Sequence, residues 1–187
     1  GVSTVGSEPG TTEVGVMQGE TYNPGIDWTA GTYTGTESWV TDAPANAAQV
    51  IRNYHSVALL LPNGRVWTAG SSKNAAEGDP TSPTIAERRM EVYKPSYDAN
   101  PDRPTITSAP QSIAYGESFD IVSPQAADIE RVALIRCGST THAFNADQRY
   151  VGLTFTRSGT TLTAVAPPNS ATAPPGYYML WIVDSND

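Results

Sequence analysis

The sequence predicts an all-β chain in two parts, and three observations carry that expectation. No window of a dozen residues holds a clean 3.6-residue apolar period free of Gly and Pro, so helix signals are nearly absent. Short runs rich in β-branched and aromatic residues recur throughout, each bounded by turn residues. The 16 Gly and 15 Pro among 187 residues exceed the average share of roughly 12%. They are spread along the chain, as many turns require and a disordered tail does not.

Taken in order, the first residues offer a short strand at Val2 to Val5, a polar stretch, then Val14-Gly15-Val16-Met17 and Glu20-Thr21-Tyr22-Asn23-Pro24. Residues 25–50 are rich in Thr, Gly and Trp and end in a polar, Ala-rich link. His55 to Leu61 reads as a buried strand, and Pro62-Asn63-Gly64 as a hairpin turn. Arg65 to Ala69 is the return strand, closed by Gly70; residues 71–84 form a polar loop, and Glu91-Val92-Tyr93-Lys94-Pro95 is a strand ending in Pro. The two Glu-x-Tyr-x-Pro segments, at 20–24 and 91–95, repeat around the hairpin, as successive propeller blades do. Their 71-residue separation is longer than one blade, which makes the Thr/Gly/Trp segment an expected insertion.

Asn100-Pro101-Asp102-Arg103-Pro104 is the expected linker, dividing the chain into 1–102 and 103–187. Beyond it, strands are predicted at Ser118 to Val122, Arg131 to Arg136, Leu153 to Thr156, Thr161 to Ala166 and Tyr177 to Val183. Antiparallel strands at this density predict an Ig-like sandwich. The last run is apolar on both faces, as an inner strand would be, and a pairing strand beyond Asp187 is an expectation.

Net charge is −8 and the pI about 4.6, which argues against nucleic acid and anionic membrane as partners but not against neutral sugars. One cysteine, Cys137, rules out a disulfide within the chain; its expected role is a small buried strand residue. No stretch is long enough for a transmembrane helix, and no Asn-x-Ser/Thr sequon occurs. The chain opens on Gly1-Val2-Ser3 without an initiator Met, so it is expected to be a mature piece of a longer product.

The histidines are His55 and His142, each among polar or strand-forming residues. Imidazole suits Cu, Zn, Fe and Ni. Spacing alone leaves two readings: hydrogen-bonded strand-end residues, or ligands of one metal together with Tyr54. Arg52-Asn53-Tyr54-His55-Ser56-Val57-Ala58-Leu59-Leu60-Leu61-Pro62-Asn63-Gly64-Arg65-Val66 resembles the start of the last propeller blade in galactose oxidase and glyoxal oxidase, the mononuclear copper radical oxidases. Thr141-His142-Ala143-Phe144-Asn145-Ala146-Asp147-Gln148-Arg149 and Pro175-Gly176-Tyr177-Tyr178-Met179-Leu180 resemble two further family signatures, in the same order and at fitting separation.

That resemblance, over roughly residues 20–187, implies the end of a kelch-type β-propeller over 1–102 and an early-set, Ig-like C-terminal domain over 103–187. It implies copper as cofactor, with His55 and His142 as equatorial ligands and Tyr54 as the axial tyrosine that takes the substrate proton. The loop bearing His142 would bring it beside Tyr54 and His55. Neighbouring strand residues face opposite ways, so Tyr54 and His55 need a strand end or bulge to share a metal. Asp147, Gln148 and Arg149 are read either as a shell orienting the His142 loop or as an exposed turn.

The family's cross-linked Cys-Tyr cofactor lies in earlier blades, and Cys137 is not its cysteine. The chain by itself is therefore expected to be inactive, while the parent oxidises an alcohol or aldehyde with O2 to give hydrogen peroxide. A sugar or small alcohol or aldehyde is the implied substrate, in an extracellular, secreted or cell-surface setting. The competing reading is a non-catalytic carbohydrate- or surface-binding module. Trp67 and Trp181 are expected in the core; Trp28 and Trp39 sit in polar sequence and are open to a sugar-binding role. Unpaired strand edges in an incomplete propeller would favour self-association.

Overall fold

The computed structural model describes residues 17–28, 31–52, 55–74, 84–142 and 144–185. The expected strands at Val2 to Val5 and Val14 to Val16 lie outside them. Among the described residues every regular element is a strand or a short 3-10 turn, as the missing helical period predicts. The residues cluster into two units: one drawn from Gly1–Pro95 with Thr140–Asn145, the other from Ser96–Ser139 with Ala146–Asp187.

The first unit contains nine strands from the N-terminal part of the chain: β1 (Glu20–Asn23), β2 (Ile26–Asp27), β3 (Thr32–Tyr33), β4 (Ser38–Thr41), β5 (Ser56–Leu60), β6 (Val66–Gly70), β7 (Ser72–Asn74), β8 (Thr84–Ala86) and β9 (Glu91–Tyr93). They pair antiparallel as β1–β4, β2–β3, β7–β8 and the three-stranded sheet β5–β6–β9. The β5–β6 hairpin turns where Asn63-Gly64 predicts it. Leu61 N–H donates to Arg65 C=O, Gly64 N–H donates to Leu61 C=O, and Gly64 takes φ 83°. This turn fixes the register from Leu60↔Val66 to Ser56↔Gly70. The strand is half-buried rather than buried, and it starts at Ser56, leaving His55 outside the ladder. Both repeated Glu-x-Tyr-x-Pro segments are strands, β1 and β9.

The second unit is a sandwich. It contains β10 (Ser118–Val122) and β11 (Ile129–Arg136). The chain then makes the β12 (Thr140–Thr141) and β13 (Phe144–Asn145) hairpin, which belongs to the first unit, and returns for β14 (Tyr150–Leu153), β15 (Phe155–Ser158), β16 (Thr161–Val165) and β17 (Tyr178–Asp184). One sheet is ordered β10–β16–β15, the other β14–β11–β17, all antiparallel. Alternation explains the packing: on β16 Leu162 and Ala164 point inward between Thr161, Thr163 and the exposed Val165. Ile121, Leu162 and Ala164 from one sheet share a core with Val132, Leu134, Val151, Leu153 and Ile182 from the other.

The structure departs from the expected strand at Leu153 to Thr156 and from the expected burial of Cys137. Leu153 to Thr156 is not one strand: the chain leaves β14 at Leu153, and β15 begins at Phe155 in the opposite sheet, with Thr154 C=O accepting from Val165 N–H. An unbroken apolar-polar run hides such a switch because both strands keep the same period. Tyr178–Asp184 is an edge strand among the described residues, pairing with β11 alone. Cys137 is exposed, one residue beyond the end of β11. Trp67 and Trp181 are half-buried, whereas Trp28 and Trp39 are exposed. No helix among the described residues is long and apolar enough to cross a membrane.

Candidate metal centre

His55 and His142 meet within the first unit. Their ring centroids are 5.6 Å apart and the rings are nearly perpendicular, at 88°. The two side chains arrive by different local devices that share one backbone feature. His55 takes φ 64° and His142 φ 50°, and besides Ser71 they are the only described non-glycine residues with positive φ. The left-handed region is uncommon outside Gly, Asn, Asp and His, and it marks positions that the surroundings hold in place.

For His142 the device is a hairpin. Strands β12 and β13 pair Thr140↔Asn145 and Thr141↔Phe144, leaving two residues at the tip, of which His142 is the first. Two-residue hairpins favour primed turns, whose first central residue has positive φ. At the base of this excursion Ala146 N–H donates to Ser139 C=O. For His55 the device is close backbone approach. Gly70, at φ 70°, lies so near that a Cβ there would stand 2.6 Å from the His55 carbonyl oxygen. Arg52 fastens the same corner. Its Nη1 donates to Gly70 C=O at 2.8 Å and its Nη2 to Arg89 C=O at 2.9 Å, with Glu91 Oε2 at 3.4 Å. The guanidinium is nearly buried, and its Nε is sealed from water with no hydrogen-bond partner among the described residues.

Each imidazole is held at Nδ1 by a hydroxyl: His55 by Ser72 Oγ at 3.0 Å and His142 by Thr141 Oγ1 at 2.8 Å. A bond from one ring nitrogen fixes the ring's orientation and selects the other nitrogen for a metal. The ring separation also fits a shared ion. With a metal–nitrogen bond of about 2.0 Å and about 1.1 Å from nitrogen to ring centre, two imidazoles at 90–180° about one metal have centroids about 4.4–6.2 Å apart. The observed 5.6 Å falls inside that span. The donors are imidazole nitrogens, which suit copper, zinc, iron and nickel.

The remaining expected residues behave differently. Tyr54 lies outside the described residues. His55 occupies a strand end, which is the condition that two adjacent ligands require. Asp147, Gln148 and Arg149 are exposed and lie in the second unit, where Arg149 Nη1 donates to the carbonyls of Ala171 and Thr172. Among the described residues no group of three or more His, Cys, Asp or Glu could hold a metal ion. Sequence reasoning missed Ser72, Thr141, Arg52 and Gly70. The register set by the Asn63-Gly64 turn, carried one step past Ser56↔Gly70, puts Ser71 opposite His55 and so does not single out Ser72.

Residues 103–187 match the family described as galactose oxidase-like, early set domain. An aldehyde oxidase of Vitis pseudoreticulata is 38% identical over 152 residues, covering 72% of this chain and 28% of that protein. Galactose oxidase of Gibberella zeae is 35% identical over 147 residues, covering 75% of this chain and 20% of that protein. A solved structure of a fungal alcohol oxidase in complex with copper superposes with a TM-score of 0.61 at 26% identity, over 86% of this chain and 32% of that one. The chain thus spans less than a third of the length of these relatives. Its residues 103–187 are a galactose oxidase-like early set domain, and the chain is related to the galactose oxidases and the glyoxal and aldehyde oxidases.

Proposed function

We propose that this chain is the C-terminal portion of a secreted copper oxidase that converts an alcohol or aldehyde with O2, releasing hydrogen peroxide. Residues 1–102 are read as the last part of a kelch-type propeller, supported by the antiparallel β5–β6–β9 sheet and the repeated Glu-x-Tyr-x-Pro strands. The observation that carries the functional reading is the meeting of His55 and His142, each held at Nδ1 by a hydroxyl and each in left-handed backbone.

In this reading His55 and His142 would hold the copper through Nε2, with Tyr54 as a third donor. Bound copper supplies a one-electron redox centre and a Lewis acid for the substrate oxygen. Tyr54 takes the hydroxyl proton of the substrate at its phenol oxygen, which requires that oxygen within hydrogen-bond reach of the alcohol. The two imidazoles keep their positions through the reaction because their orientation is set by the hairpin tip and by the Gly70 corner. For an alcohol the balance is RCH2OH + O2 giving RCHO + H2O2: two electrons and two protons pass from the carbon and its hydroxyl to oxygen. The 187-residue chain is proposed to be inactive alone, because the second tyrosine and the cysteine of the redox cofactor would come from the rest of the parent.

Peroxide formation by the copper-loaded full-length protein, with sugars, aliphatic alcohols and small aldehydes as substrates, tests the reading. O2-dependent peroxide is expected from at least one class, falling about 10²–10⁴-fold in Tyr54→Phe. Stoichiometric copper with no peroxide from any class would overturn the oxidase assignment.

A further inference from the structure

We propose that Ser72 is a positioning residue for the metal centre: its hydroxyl accepts from His55 Nδ1–H and so presents the Nε2 lone pair. The proposal rests on the copper reading above. It concerns, however, a property of the metal-free protein that can be read separately.

Ser72 opens β7, two residues after Gly70 closes β6. Between them Ser71 is buried, at φ 141°. This is the region where Gly backbone geometry is usual and serine is rare. The chain therefore turns out of β6 along a constrained path. That path is held on one side by Arg52 on Gly70 C=O and on the other by Glu87 N–H donating to Ser71 C=O. The Ser72 hydroxyl accordingly projects from a backbone fixed at the two preceding residues. Its 3.0 Å contact to His55 joins residues 17 apart in sequence and does not depend on a local turn.

A serine hydroxyl both donates and accepts, so it tolerates either neutral tautomer of the imidazole. The proposal places the proton on Nδ1 before any metal binds: the hydroxyl then accepts, and Nε2 keeps the lone pair that a metal needs. Thr141 acts on His142 in the same way, but from the neighbouring residue on a hairpin tip. The two rings are thus oriented by hydroxyls rather than carboxylates.

The experiment is two-bond ¹H–¹⁵N correlation NMR on the metal-free 187-residue chain, about two pH units above the usual histidine value of roughly 6.5, paired with Cu(II) titration by calorimetry. In the native chain His55 is expected mainly as the Nδ1–H tautomer. Ser72→Ala is expected to shift it toward Nε2–H and to weaken copper binding about 10–100-fold, while Ser72→Thr restores both. A native His55 in the Nε2–H form overturns the proposal. So does a Ser72→Ala chain with unchanged tautomer and affinity; if His55→Ala then abolishes binding, the copper reading stands without the positioning role. If the tautomer follows Ser72 but no variant binds copper, the copper reading fails, and with it the purpose assigned to Ser72.

Discussion

The two units of this chain reach order by different means. The sandwich holds a contiguous apolar core in which Ile121, Ala126, Ile129, Leu162 and Ala164 are wholly inaccessible to water. In the first unit the buried apolar side chains among the described residues are Val50 and Ala69 alone. Its strands are short, and those of β1 and β4 are exposed along their whole length. Yet this thin-cored unit carries both histidines. Hydrogen bonds, left-handed backbone and one nearly buried guanidinium fix their positions where burial does not. The sandwich is a scaffold stabilised by area removed from water, whereas the meeting of His55 and His142 is set by polar and backbone constraints.

The strongest way to separate the two is to cut into the sandwich core. Leu162→Ala removes an inaccessible side chain and should cost about 2–5 kcal/mol in denaturant unfolding. A cost below that range would mean the sandwich can collapse around the cavity and is less tightly packed than described. The matching change in the first unit is Gly70→Val. It forces a β-branched residue into φ 70° against the His55 carbonyl, at about 1–2 kcal/mol for the left-handed backbone alone. The clash with the carbonyl adds to that cost, and His55 should move: its ring signals shift and copper affinity falls. Unmoved His55 signals would break the claim that Gly70 shapes the corner.

The sequence disclosed these regions unequally, for physical reasons. Sandwich strands such as Ser118–Val122 were legible because one-sided burial writes a period of two into the residues. Leu153 to Thr156 misled because a change of sheet at Thr154 leaves that period intact. Cys137 misled because small apolar character is equally at home one residue past a strand end. The β5–β6 hairpin was legible from Asn63-Gly64. The meeting of His55 and His142 was not, since no local pattern connects residues so far apart; only family likeness suggested it. The hydroxyls on Nδ1 stayed hidden because they depend on register and on side-chain reach.

Two smaller effects sharpen the picture of the first unit. Trp39→Ala removes a side chain directly opposite Tyr22, with ring centroids 4.8 Å apart. Loss of this cross-strand pair should cost about 0.2–1 kcal/mol, seen as a small fall in unfolding midpoint. A sugar-induced change in Trp39 fluorescence would instead assign the exposed pair a binding role. Smallest of all is the effect of acid on Glu87, whose carboxyl is lowered from 4.5 to about 2, chiefly by its side-chain hydrogen bond to Arg89. Because the folded value is depressed, its contribution to stability is present above pH 4.5 and lost as pH falls toward 2. Arg89 faces water and Glu87 is partly exposed, so the contribution is slight. Carboxyl NMR titration should show the low midpoint, returning toward the ordinary value in Arg89→Ala.

Hydrogen-bonded turns suffice to bring two imidazoles to one metal in a unit with few buried apolar side chains among its described residues. Electron paramagnetic resonance of Cu(II) added to the chain, beside His55→Ala and His142→Ala, tests it most directly. The account predicts one copper with hyperfine coupling to two nitrogens in the native chain and loss of one nitrogen in each variant. A native spectrum with one nitrogen or none, unchanged by either substitution, would contradict it.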